Sequence, residues 1–149
     1  MNRGRETVYQ AFFELMKKSA GFNTISRIPI PSDSLAGANL PALEVVGEQE
    51  TAEFRGLGLM IVWKIQMLLL VYCDTSDPST PAFVTLNALL DSIDKALTPD
   101  PQTGKIELFD ADGVPVVVDV HFSGTILKDP SFQSGIGAAG IPIEIVTTA

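Results

Sequence analysis

Leu57-Gly58-Leu59-Met60-Ile61-Val62-Trp63-Lys64-Ile65-Gln66-Met67-Leu68-Leu69-Leu70-Val71-Tyr72 is the longest apolar run in the chain. Its odd positions from Leu57 through Ile61, Trp63, Ile65, Met67 and Leu69 to Val71 are all apolar. Its even positions are apolar at both ends and polar at Lys64 and Gln66. Alternation with period two puts Lys64 and Gln66 on one side, which predicts a strand. The run exceeds the usual five or six residues of a strand. Two coverings for its second face are open: helices of the same chain, or a partner. A membrane helix needs about 20 mostly apolar residues, so this shorter run with Lys64 and Gln66 at its centre predicts no membrane span.

Upstream, Val8, Ala11, Phe12, Leu15 and Met16 form one stripe of a helix expected from Arg5 to Ala20. Lys17 and Lys18 suit its C-terminal dipole, and Gly21 is a stop signal. A strand is expected within Phe22–Ile30, ended by Pro29 and Pro31, then a loop over 32–40. A second strand is expected from Pro41 to Gly47. Glu48, Glu50 and Glu53 follow between Gly47 and Gly56, either in a flexible loop or in the extended tip of a hairpin.

Downstream, Thr80 and Pro81 predict a capped helix start. That helix runs to about Leu97, with Phe83, Leu86, Leu90, Ile93 and Leu97 in its stripe. A short strand at Ile106–Phe109 is the weakest element. A turn at Asp110–Gly113 follows, then a strand with one wet face over Val114–Ser123. The small residues of Gly124–Gly140 predict irregular chain, and Ile141–Val146 a last strand that Pro142 sends to an edge or an early break. The order α-β-β-β-α-β-β-β, with strands in runs, predicts an α+β fold: a mostly antiparallel (mixed) β-sheet flanked by two helices. The 149 residues suit a single domain, 1–149.

Hydrophobic residues make up 46% of the chain and charged residues 19%, with a mean hydropathy of +0.26. Such a balance implies a rich core or apolar surface reserved for partners. The lone Cys73 excludes a disulfide framework within one chain and fits a reducing compartment. The N-terminal residues show no signal-peptide pattern. The net charge is −8 and uneven: residues 1–27 carry +3, the remainder −11. An acidic body is a poor phosphate binder. A basic end and an acidic body on one chain can instead attract each other between copies. The candidate contacts between copies are Arg3, Arg5, Lys17 and Lys18 against Glu48, Glu50 and Glu53, with Lys64 and Gln66 on the long strand.

Motifs for chemistry fail on context. Gly135-Ile136-Gly137-Ala138-Ala139-Gly140 matches G-x-G-x-x-G, but precedes a strand where a dinucleotide site must follow one, so a flexible loop is expected. Asp110, Asp112 and Gly113 resemble the start of a calcium loop, yet Pro115 and His121 stand where Gly and Glu belong. Asp119 and His121 share a strand face and form the one acid–base candidate, without a nucleophile in a recognisable motif. No catalytic residue, cofactor or metal site is expected.

An ordered set of segments carries a family resemblance. Arg5-Glu6-Thr7-Val8-Tyr9-Gln10-Ala11-Phe12-Phe13-Glu14-Leu15 is followed by Gly21-Phe22-Asn23-Thr24-Ile25-Ser26-Arg27 and Pro41-Ala42-Leu43. Leu86-Asn87-Ala88-Leu89-Leu90-Asp91, Ala96-Leu97-Thr98-Pro99-Asp100-Pro101-Gln102-Thr103-Gly104 and Ile141-Pro142-Ile143-Glu144-Ile145 come later. The set spans nearly the whole chain and resembles the tail terminator or tail completion proteins of tailed bacteriophages and prophages. Glu48–Arg55 and Asp110–Val116 depart from that pattern. The resemblance implies a non-enzymatic virion protein assembled in the host cytoplasm. It implies a hexameric ring that caps the tail tube, ends its growth and joins it to the head–tail connector protein, with DNA crossing the lumen unread. Another ring of the neck, such as a head–tail joining protein, is the near alternative. A small-ligand-binding or enzymatic α+β domain using Asp119 and His121 is the distant one.

Overall fold

The apolar run becomes β3 (Val62–Asp74), and everything else is built outward from it. The structure is a computed structural model that describes residues 4–104, 106, 108–116 and 119–148. Arg3, Glu107, Val117 and Val118, which figure in the expectations above, lie outside the described residues. The elements are α1 (Arg5–Met16), β1 (Thr24–Ser26), β2 (Ala42–Glu53), β3, α2 (Ala82–Ala96), β4 (Asp119–Phe122), β5 (Leu127–Gln133) and β6 (Ile136–Thr148). Two short 3-10 turns, Ser32–Ser34 and Gly37–Asn39, lie between β1 and β2.

The sheet has six strands in the order β1-β2-β3-β6-β4, and β5 also pairs with β6. Antiparallel pairing joins β3 and β6 from Val62↔Thr148 to Asp74↔Ile136. All other pairs are antiparallel except β1 with β2, so the sheet is mixed and mostly antiparallel, as expected.

Both helices pack on one face. Ile65, Met67, Leu69 and Val71 of β3 and Ile141, Ile143 and Ile145 of β6 meet Val8, Phe12 and Met16 of α1 and Leu86, Leu89 and Ile93 of α2. Each such side chain contributes on the order of 1.5–3 kcal/mol on burial.

Several boundaries differ from the sequence expectation. The first helix ends at Met16, not Ala20, because the Lys18 and Ser19 amides turn back to carbonyls three residues earlier. Only Thr24–Ser26 of the Phe22–Ile30 stretch pairs as strand, since Ser26 Oγ bonds the Ile28 amide and draws the chain away. Thr80 does not cap α2: its hydroxyl donates to Asp77, and Pro81 holds the cap position. The α2 stripe is Leu86, Leu89, Ile93 and Leu97, with Phe83 exposed and Leu90 at the margin.

The Ile106–Phe109 strand is reduced, among the described residues, to one bridge, Phe109↔Pro115, closing the expected turn. Ile106, Leu108 and Val116 still join the core, and Thr147 Oγ1 donates to the Val116 carbonyl at 2.7 Å. The Val114–Ser123 strand shortens to Asp119–Phe122 among the described residues. The eight-element order therefore stands with a different strand in it, β5 for Ile106–Phe109.

The Gly124–Gly140 expectation is corrected most. Leu127–Gln133 is β5, and the strand expected from Ile141 starts at Ile136. Gly135-to-Gly140 is thus a turn and a strand, not a flexible loop. Small residues fit where the backbone is crowded: a Cβ on Gly137 would lie 2.7 Å from Thr75 Cγ2. Nor does Pro142 mark an edge. Its carbonyl accepts from the Ser123 amide, so its missing donor points to the break between β4 and β5, where the ladder is already interrupted.

Ile143 and Leu57 should separate core from surface. Ile143→Ala is expected to cost about 2–5 kcal/mol in urea unfolding, and Leu57→Ala to stay within about 0.5 kcal/mol.

Candidate functional site

β1 covers only Ala42–Glu44 of β2, so the acidic half of β2 is a sheet edge among the described residues. The glutamates therefore lie on a strand, the extended-hairpin alternative, and not in a loop. Pairing shifts between Gly47↔Met67 and Gln49↔Gln66, which leaves Glu48 as a bulge residue. A bulge and three glutamates make this edge a poor template for adding another strand.

The bulge also reverses which residues face the helices, and it turns Glu50 toward α1. There Arg5 Nε donates to Glu50 Oε2 at 2.5 Å and Tyr9 Oη to Oε1 at 2.8 Å. Tyr9 fits because Gly47 has no side chain; a Cβ there would sit 3.2 Å from Tyr9 Cε1. Burial pushes the Tyr9 phenol up to about 12, and the Glu50 hydrogen bond adds to this. Burial alone would raise the Glu50 carboxyl, but the bonds from Arg5 and Tyr9 hold it below its ordinary value. The Arg5 guanidinium also lies 5.0 Å from the Trp63 ring centre.

The remaining charged candidates are mostly partnered within the chain. Lys17 pairs with Glu14 at 3.3 Å, and Lys64 with Glu53 at 3.2 Å. Arg27, on the loop after β1, pairs with Glu6. Among the described residues, Lys18 and Glu48 are exposed and have no ion-pair partner. The structure thus brings Arg5 and Glu50 together inside one chain, and leaves Lys18 and Glu48 facing outward.

Gln66 belongs to a polar group on the outer face of the sheet. Its amide donates to Glu144 at 2.6 Å and its carbonyl accepts from Ser123 at 3.3 Å. His121 is held from both ring nitrogens, by Asp119 at 3.0 Å and Glu144 at 3.2 Å. Among the described residues, no three His, Cys, Asp or Glu side chains are placed to hold a metal ion. No helix there is long and apolar enough to cross a membrane.

Two apolar surfaces remain. On the outer face, Leu68, Leu70, Ala138 and Pro142 form the floor of a groove of about 450 Å³, with Leu127 and Phe132 of β5 along its side. Glu48, Lys128 and Asp129 stand around it. Among the described residues, a buried cluster covers this face at one end, where Leu35 and Leu40 pack on Ala42, Tyr72 and Ile136. There Glu44 is buried and accepts the Ile30 amide at 2.9 Å, and burial raises the Tyr72 phenol.

The second surface is the β2–β3 connection. The long strand was expected from Leu57, but it begins at Val62, because Gly56 and Gly58 take positive φ and turn the chain. Phe54, Leu57, Leu59 and Met60 are left exposed, Leu57 at 96%. The sequence signal for this tip was its unbroken apolarity, which a strand reading absorbed. Groups of this kind on a folded surface mark interaction sites.

The fold has a solved relative. The chain is similar to a chain in the structure "Virion of native gene transfer agent (GTA) particle", with a TM-score of 0.61. The likeness covers 97% of this chain and 96% of that one at 12% sequence identity. At that identity it establishes the fold, end to end. No protein-family model matches the chain, and no curated protein sequence does.

The Tyr9–Glu50 contact sets two pH limbs. Between pH 10 and about 12 the folded chain keeps the Tyr9 proton that the unfolded chain has given up, so stability should fall as pH rises through that window. Glu50, depressed in the fold, contributes stability above its unfolded pKa that is lost as pH falls through its folded value. Urea midpoints across pH, and tyrosinate absorbance of wild type and Glu50→Gln, check this: the variant should lower Tyr9 ionisation only in part, because burial, the larger cause, remains.

Proposed function

We propose that this chain is a structural subunit of a phage-like virion, and within it the tail terminator. Copies form a ring, six in number by family resemblance, which caps the tail tube, stops its polymerisation and meets the head–tail connector. The observation that carries the reading is the end-to-end likeness to a chain of a gene transfer agent virion. The order of segments from Arg5 to Ile145 narrows it to the terminator. The open outer face and the exposed tip support a molecule that works by being covered.

No catalytic step belongs to this role. The acidic body, in a chain whose net charge is −8, suits a lumen that lets DNA pass without holding it. The subunit assembles in the host cytoplasm and stays with the particle. Because the similar structure is a whole virion, another ring of the neck is the second reading, and the position of the chain in particle maps separates the two.

Native mass measurement and electron microscopy with purified tail tubes test the proposal. Rings alone or on tube ends, and tubes of defined length in their presence, are expected. A strict monomer at high concentration that leaves tube ends bare would refute it. If Lys18 and Glu48 help join copies, the ring should loosen between low and high salt, since exposed pairs are screened. Mass distributions identical in both would remove that contribution.

A further inference from the structure

We infer that the β2–β3 tip of one copy seats in the outer-face groove of the next. This deepens the ring reading above and rests on it for the assembly itself.

The chain carries a convex apolar element and a concave one. The tip presents Phe54, Leu57, Leu59 and Met60, and the groove is floored by Leu68, Leu70 and Pro142 and flanked by Leu127 and Phe132. They cannot meet within one molecule. Both are tied to β3, the tip before Val62 and the groove from Leu68 to Tyr72. At roughly 3.3 Å per residue, Val62 and Leu70 lie about 26 Å apart along a strand paired on both sides. That strand does not bend back on itself, so a tip that fills this groove comes from a second copy.

Charge favours the same docking. Arg55 beside the tip lies 3.6 Å from Glu53, a loose pair. The groove offers Glu48, unpaired among the described residues, and Asp129. A surface that carries both halves of a contact at different places makes a head-to-tail interface, which closes into a ring when the rotation allows. The tip would act as the anchor, a few apolar side chains in a desolvated pocket.

Two exposed positions test the contact without touching the core. Leu57 is 96% and Leu127 70% exposed, so Leu57→Asp and Leu127→Asp should fold, with cooperative unfolding and a circular dichroism spectrum like that of wild type as the check. Each full-length variant alone is expected to lose the oligomer and run as a monomer in native mass spectrometry. Mixed in equal amounts, they should give a one-to-one pair and nothing larger, because one intact tip then meets one intact groove. Wild-type rings with both variants also forming rings would overturn the docking and leave the ring reading standing. The same holds if the variants form rings and lose only tube binding, which would give the tip to the tube protein. Wild type that stays monomeric and ignores tube ends would overturn both.

Discussion

The pairing of β3 with β6 along their whole lengths is the constraint on which the rest depends. It puts two apolar strands at the centre of the sheet and sorts their side chains strictly by parity. Ile65, Met67, Leu69, Ile143 and Ile145 go to the helices. Lys64, Gln66, Leu68, Leu70 and Glu144 go to the other face. A shift of one residue would exchange the two sets, so the buried isoleucines also determine what the outer face offers. Surface and core are one decision in this chain.

That decision shapes the surfaces at both ends of β3. At its start the strand stops at Val62, and the preceding apolar residues are turned outward by Gly56 and Gly58. At its far end the 3-10 turns cover Tyr72, with Leu70 at the margin of that cluster and Leu68 outside it. Along β2 the bulge at Glu48 gives Glu50 to Arg5 and Tyr9, which ties α1 to the edge of the sheet. The basic end of the chain is thereby partly spent on its own acidic strand. In the proposed ring, attraction between copies rests more on apolar contact than the bare charge distribution implies.

The parts legible in the sequence were those with strong periodicity. The Val62–Tyr72 alternation, the Val8–Phe12 stripe and the Leu86–Ile93 stripe each state which face they bury. Strands failed where no such pattern exists. Leu127–Gln133 is exposed on both sides over much of its length, so nothing in Leu-Lys-Asp-Pro-Ser-Phe-Gln alternates. Gly137 to Gly140 hides a central strand: its small residues read as loop, and at Gly137 crowding by Thr75 and Pro130 leaves no room for a side chain. Pro142 misled because its missing donor falls at an interruption between two strands, which only the tertiary pairing reveals. Among the candidate contacts, residue types were readable and partners were not. Whether Glu50 meets an arginine of its own chain depends on one bulge.

The central claim is that β3 exposes an outer face and a tip that another copy covers. Hydrogen–deuterium exchange at low and high protein concentration addresses it directly, because amides in a new interface gain protection. The account predicts slower exchange, at high concentration, in the 54–61 tip and along Leu127–Gln133 together, with α1 and α2 unchanged. Association that protects the helices and leaves both of those segments exchanging as before would contradict it.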